Sequence, residues 1–193
     1  MRIIGGTAGG LLLKVPKGFD VRPTPDLVKQ ALFNSLGDRV VDTKVLELFA
    51  GTGALGLECL SRGASRVVSV EKSSRHARVI LENLARTRLP STAFDLRVDD
   101  AFAALERLAA QQAVFDLVLA DPPFGEKNIG RKSTSLSQQL LDHPSLPVLL
   151  AGDGLFILGH TKRDTLTPNS AWRETKVLKH GDSMVRFYVK SLL

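Results

Sequence analysis

An α/β fold on a mostly parallel, seven-stranded sheet with helices on both faces is what this chain predicts, on three observations. Short apolar runs alternate with helical stretches between residues 44 and 120, and regular βα alternation implies parallel strands. A glycine-rich turn, Ala50-Gly51-Thr52-Gly53-Ala54-Leu55-Gly56, joins the first run to the helix after it. Such a turn lets backbone N–H groups approach a bound cofactor. Two β-rich segments near the end, Trp172 to Lys179 and Met184 to Val189, flank His180-Gly181-Asp182 and read as an antiparallel hairpin.

The elements follow in order. Residues 2 to 21 alternate as a hairpin of Ile3-Ile4 with Leu11 to Val15, turned through Gly5-Gly6 and Gly9-Gly10. Residues 1–22 are therefore expected as a small extension before one domain, 23–193. Thr24 is placed to cap a helix with Pro25 at its first position; Leu27, Val28, Ala31, Leu32 and Leu36 form its apolar face, and Gly37 ends it. Strands are expected near 44–49, 66–70, 94–98 and 115–120, with helices near 54–62, 74–87 and 101–111. The polar, turn-rich stretch Gly125 to Ser137 leads to helices around Ser137 to Leu141 and near 145–151, and then to a fifth strand, Gly154 to Leu158.

Composition bounds the function. A chain of 193 residues, 44% hydrophobic, suits one core, and 26 Lys and Arg against 20 Asp and Glu suit a polyanionic partner. Cys59 is the only cysteine, which excludes an internal disulfide and a cysteine-based metal cluster and leaves it a packing residue. His76, His143, His160 and His180 lack ligand spacing, so no metal is expected. Trp172 reads as a packing residue. Residues 1 to 15 lack a secretory apolar core, and no apolar run approaches the roughly 18 residues of a membrane span. A cytoplasmic location with no membrane partner is expected.

Open α/β sheets bind ligands beyond the carboxyl ends of their strands. Gly51, Glu71, Asp100 and Asp121 should therefore share one edge. Glu71 ends the second strand, about 20 residues after the first glycine, where a carboxylate can bridge ribose hydroxyls. Asp99-Asp100 follow the third strand, where an acid could accept from an adenine amine, and Asp99 is read instead as a loop carboxylate capping the next helix. Dinucleotides and S-adenosylmethionine both carry that nucleoside, so these positions serve either.

The fourth strand separates the two. After Phe115 to Ala120 come Asp121-Pro122-Pro123-Phe124. A carboxylate and a backbone carbonyl can accept the two hydrogens of a planar amine while an aromatic ring stacks on its face. Hydride transfer has no use for such a clamp, whereas methyl transfer needs its acceptor nitrogen beside the methyl donor.

Met1-Arg2-Ile3-Ile4-Gly5-Gly6, Arg22-Pro23-Thr24, Ala31-Leu32-Phe33-Asn34, Glu47 to Glu58, Ser61-Arg62-Gly63-Ala64, Val70-Glu71-Lys72, Asp121 to Phe124 and Gly181-Asp182-Ser183 occur in this order. Together they resemble the RsmD-type bacterial 16S ribosomal RNA guanine-N2 methyltransferases. The resemblance implies a Rossmann-like class I S-adenosylmethionine-dependent methyltransferase, a monomer, acting on ribosomal RNA or the small ribosomal subunit. It assigns the cofactor to Glu47, Phe49, Ala50, Gly51, Gly53, Glu71, Lys72, Asp100, Ala101 and Asp121, and catalysis to Asp121, Pro122 and Phe124. RNA contact falls to Arg2, Lys14, Lys17, Arg22, Lys127, Arg131 and Lys132.

The chain departs from that pattern in three places. Ala8-Gly9-Gly10-Leu11 stand where basic and aromatic residues are usual, Leu158-Gly159-His160 where an acid is usual, and Phe124 where tyrosine is commoner. The clamp also serves DNA adenine, protein glutamine and small-molecule amines, and the glycine turn alone would serve a nicotinamide oxidoreductase or a nucleotide-binding module.

Overall fold

β1 (Lys44–Leu48) and β4 (Phe115–Ala120) are the central pair, and their side chains alternate between two buried faces. Val45 and Leu117 join one core, Leu46 and Val118 the other. Burial on both faces is why these strands read as continuous apolar runs rather than as polar–apolar alternation. The computed structural model describes residues 1–16, 25–123 and 132–191. Lys17, Arg22, Thr24, Phe124, Lys127 and Arg131 lie outside the described residues.

The seven strands lie in the order β3-β2-β1-β4-β5-β7-β6, with β2 Arg66–Glu71, β3 Phe94–Val98, β5 Leu150–Thr161, β6 Trp172–His180 and β7 Ser183–Lys190. The first five are parallel; β7 runs antiparallel between β5 and β6. Strand order reverses at β1 and β4, and a crevice opens beyond their carboxyl ends. Helices α1 (Asp26–Leu36), α2 (Ala54–Ser61) and α3 (Ser74–Thr87) cover one face through Leu32, Leu57 and Ile80. Helices α4 (Ala101–Ala110), α5 (Leu136–Asp142) and α6 (Ser145–Leu149) cover the other through Leu105, Leu140 and Leu146.

Four expectations need correction. Helix α1 begins at Asp26, with Pro25 extended before it (φ −56°, ψ 145°) rather than in the first helical position. Its buried side is Val28, Lys29, Leu32, Phe33 and Leu36, while Leu27 is 70% exposed. The apolar run offered two adjoining faces, and Lys29 could be buried because its ammonium donates to the Arg2 carbonyl and lies 3.7 Å from Glu58. Strand β5 starts four residues earlier than expected, at Leu150, which pairs with Phe115 across a register shift and stops α6 at Leu149.

The fourth concerns the amino-terminal hairpin, which pairs in the expected place but only briefly: among the described residues an Arg2–Leu12 bridge is flanked by Ile3 N–H donating to Leu11 O (2.9 Å), Gly10 N–H to Ile3 O (2.8 Å) and Leu13 N–H to Met1 O (3.1 Å). The segment also docks on α2. Buried Glu58 accepts from Ile4 N (2.7 Å), Gly5 N (2.8 Å) and Arg62 Nε (2.8 Å), and Ser61 Oγ accepts from Ala8 N (2.9 Å). Ile3, Ala8 and Leu13 enter the core.

Trp172 packs as expected. Its ring centroid lies 5.2 Å from that of Phe156, and its Nε1 donates to Leu141 O at 3.0 Å. Cys59 is fully buried. Among the described residues no helix is long and apolar enough to cross a membrane.

Candidate active site

A cavity of about 360 Å³ opens at the carboxyl edge of the sheet, within the size range of small-molecule sites. Gly51, Glu71, Asp100 and Asp121 all line it, so the four positions converge. Three of the five residues leaving β1 have positive φ: Phe49 (56°), Gly51 (57°) and Gly53 (73°). At Gly53 a Cβ would also stand 2.9 Å from Ile80 Cγ2, so both sterics and the left-handed backbone call for glycine. Phe49 adopts that conformation at a cost of about 1–2 kcal/mol, and its ring forms a cavity wall, edge-on to Phe102 at 6.1 Å.

Glu71 is held from both sides. One oxygen accepts from Gly51 N (2.7 Å), the other from Ser73 N (2.8 Å), and His76 Nδ1 lies 3.4 Å away. Each oxygen keeps a further acceptor direction, so the carboxylate fixes the glycine turn and still faces the cavity. Asp100 caps α4 by accepting from Phe102 N (3.0 Å) and Ala103 N (3.4 Å), and pairs with Lys72 (3.2 Å). Burial pushes its carboxyl upward, but Lys72 and the two N–H donors prevail and hold it below the usual range. The expected cap at Asp99 is corrected: Asp100 caps α4, while Asp99 pairs with Arg107 on the same helix.

Glu47, Ala50 and Gly53 do not line the cavity. Glu47 is 2% exposed beneath the turn, accepting from Leu55 N (3.1 Å) and Ser69 Oγ. Burial pushes its carboxyl up to about 7, against the pull of those donors. Ala50 and Gly53 shape the backbone around that support. Lys72, Ala101, Pro122 and Pro123 reach the cavity. Among the basic residues assigned to RNA, Arg2 pairs with Asp26 (3.2 Å), Lys14 with Glu82 (2.7 Å) and Lys132 with Asp142 (2.8 Å).

Beyond Asp121 the wall is made by Val28 and Leu32 of α1, Ile157 of β5, and Met184 and Val185 of β7. Sequence reasoning missed these residues because only tertiary packing brings α1 and β7 to this edge. It also missed His76, whose signal was its place in the first turn of the helix after Glu71. His160 is buried; burial first, then Arg186, hold it below its ordinary pKa. Arg186 Nε donates to its Nε2 at 2.9 Å.

A family model described as conserved hypothetical protein 95 matches residues 1–189. The chain is similar to ribosomal RNA small subunit methyltransferase D of Escherichia coli, 40% identical over 64% of this chain and 60% of that protein. It is also similar to YlbH of Bacillus subtilis, 32% identical over 84% of this chain and 83% of that protein. Among solved structures, the methyltransferase yhhF from Escherichia coli aligns with a TM-score of 0.79 at 29% identity, over 100% of this chain and 99% of that one.

Proposed function

This chain belongs to the conserved hypothetical protein 95 family, the RsmD type, and we propose from that premise that it methylates the exocyclic N2 of a guanine in 16S ribosomal RNA. S-adenosylmethionine is the methyl donor of this family. The observation that carries the finer reading is the convergence of Gly51, Glu71, Asp100 and Asp121 on one cavity. That convergence joins a nucleoside-holding half to an amine-holding half.

The residues present fit the cofactor. Glu71 has acceptor capacity for ribose hydroxyls, Phe49 and Phe102 form an apolar wall, and the turn at Gly51 presents backbone close to the cavity. When bound, S-adenosylmethionine supplies a methyl group already activated by its sulfonium. The chain's task is then to present the nitrogen. The Asp121 carboxylate and the Pro122 carbonyl accept the two N2 hydrogens. Those bonds draw the nitrogen out of conjugation with the ring and stabilise the positive charge that grows on it. Phe124 is assigned to stack on the base. The amine proton leaves after the methyl bond has formed, so no finely tuned general base is required.

Asp121→Ala tests the assignment. Removing one preorganised acceptor should lower turnover at least about a hundredfold, with S-adenosylhomocysteine binding by calorimetry little changed. Near-normal turnover would remove Asp121 from the chemistry. Tighter binding of NADH than of S-adenosylhomocysteine by the unmodified protein would overturn the cofactor.

A further inference from the structure

Helix α3 carries a row of arginines that the cavity does not use. At about 3.6 residues per turn, Arg75, Arg78, Glu82 and Arg86 fall along one side of the helix, and all four are exposed. The opposite side, with Ala77, Ile80 and Leu84, is buried in the core. Arg88, the exposed C-cap of α3, adds a further guanidinium at the end of the helix. The single acid, Glu82, is paired with Lys14 at 2.7 Å. Among the described residues, no acid pairs with Arg78, Arg86 or Arg88. The helix starts at the cavity, since Lys72, just before it, and His76, in its first turn, both line it.

We propose that this outer face of α3 binds the phosphate backbone of the RNA substrate and guides a strand away from the active site. The proposal rests on the reading of the chain as a ribosomal RNA methyltransferase. A face built merely for solvation intersperses both signs; here the only acid is already neutralised by a neighbouring element. Guanidinium groups present paired N–H donors that match phosphate oxygens, with a lower hydration cost than an ammonium. From Arg75 to Arg86 the row runs about 16 Å along the helix axis, at ~1.5 Å per residue. Contacts of this kind set the position and register of a nucleic acid without reading its bases, leaving base choice to the cavity.

The test compares two triple variants of the full chain: Arg78→Gln/Arg86→Gln/Arg88→Asn on α3, and Arg173→Gln/Lys176→Gln/Lys179→Gln on the exposed edge strand β6. Each loses the same charge. Binding to a protein-free 16S ribosomal RNA transcript and, in parallel, to assembled small subunits is measured across salt concentrations, beside S-adenosylhomocysteine affinity and melting temperature. The α3 variant should flatten the log–log salt slope by about 2 units and bind at least about tenfold more weakly. The β6 variant should match wild type, and cofactor affinity should be unchanged in both. If the α3 triple loses stability, Arg78→Gln alone carries the test, with an expected slope change of about 0.7 unit. An unchanged slope, an equal loss in the β6 variant, or a loss seen only with assembled subunits would each overturn the proposal. The last outcome would assign the face to a protein. These readouts need no methyl transfer, so a wild type that binds RNA without methylating it would count against the activity and not against α3.

Discussion

At Gly159 the backbone of β5 lies so close to Asp121 that a Cβ there would overlap Oδ1 of the carboxylate. The absence of a side chain at 159 therefore sets where the proposed clamp acid rests. Gly159→Ala should displace that carboxylate and lower turnover at least about tenfold, since shifts near 1 Å in a reacting group cost about a hundredfold. The two positions should be coupled: in an Asp121→Ala background the added alanine should cost nothing further. Turnover of the four variants decides this, and equal factors in both backgrounds would make Gly159 a general structural residue. The placement of strand-end residues such as Glu71 and Asp121 on one sheet edge was legible in the sequence. What was not legible was support from neighbours, such as Gly159 beneath Asp121 or Ser69 against Glu47, because those contacts cross strands.

Strand β1 and the glycine turn form one element through Glu47. Its carboxyl is pushed up to about 7 in the folded chain from an ordinary value of 4.5, chiefly by burial. Between those values the folded protein holds a proton that the unfolded chain has released. Stability therefore falls as pH rises from 4.5 and levels off above about 7, with a loss on the order of 3 kcal/mol. Glu47→Gln removes the titration while keeping an acceptor for Leu55 N–H. Urea unfolding at acid and alkaline pH should show a smaller decline for Glu47→Gln than for wild type. Identical declines would mean that Glu47 is ionised throughout. The strands themselves were readable, since burial on both faces gives unbroken apolar runs such as Val45-Leu46 and Leu117-Val118-Leu119. The phase of α1 was not, because only the Arg2 carbonyl and Glu58 make Lys29 an inward residue. Strand β5 likewise ran longer than its apolar core, held by pairing with Phe115.

Across the whole molecule, the amino-terminal segment ties the site together. Glu58 holds Ile4 and Gly5 on α2, while Asn83 of α3 donates to both Lys14 O and Thr52 O at 3.0 Å, linking that segment to the glycine turn. The sequence signalled a glycine-rich hairpin there but not its docking, which depends on polar residues of two helices more than 50 positions away. The sheet order places the glycine turn and the proposed clamp at the ends of adjacent strands, β1 and β4, an adjacency that suits the proposed methyl transfer. The most direct measurement is incubation of the protein with S-adenosylmethionine labelled in its methyl group and small ribosomal subunits or 16S ribosomal RNA from cells lacking the modification, followed by digestion to nucleosides. The label should appear as N2-methylguanosine, and Asp121→Ala should slow its appearance at least about a hundredfold. Label in another nucleoside or in protein, or none in either substrate, would contradict the account.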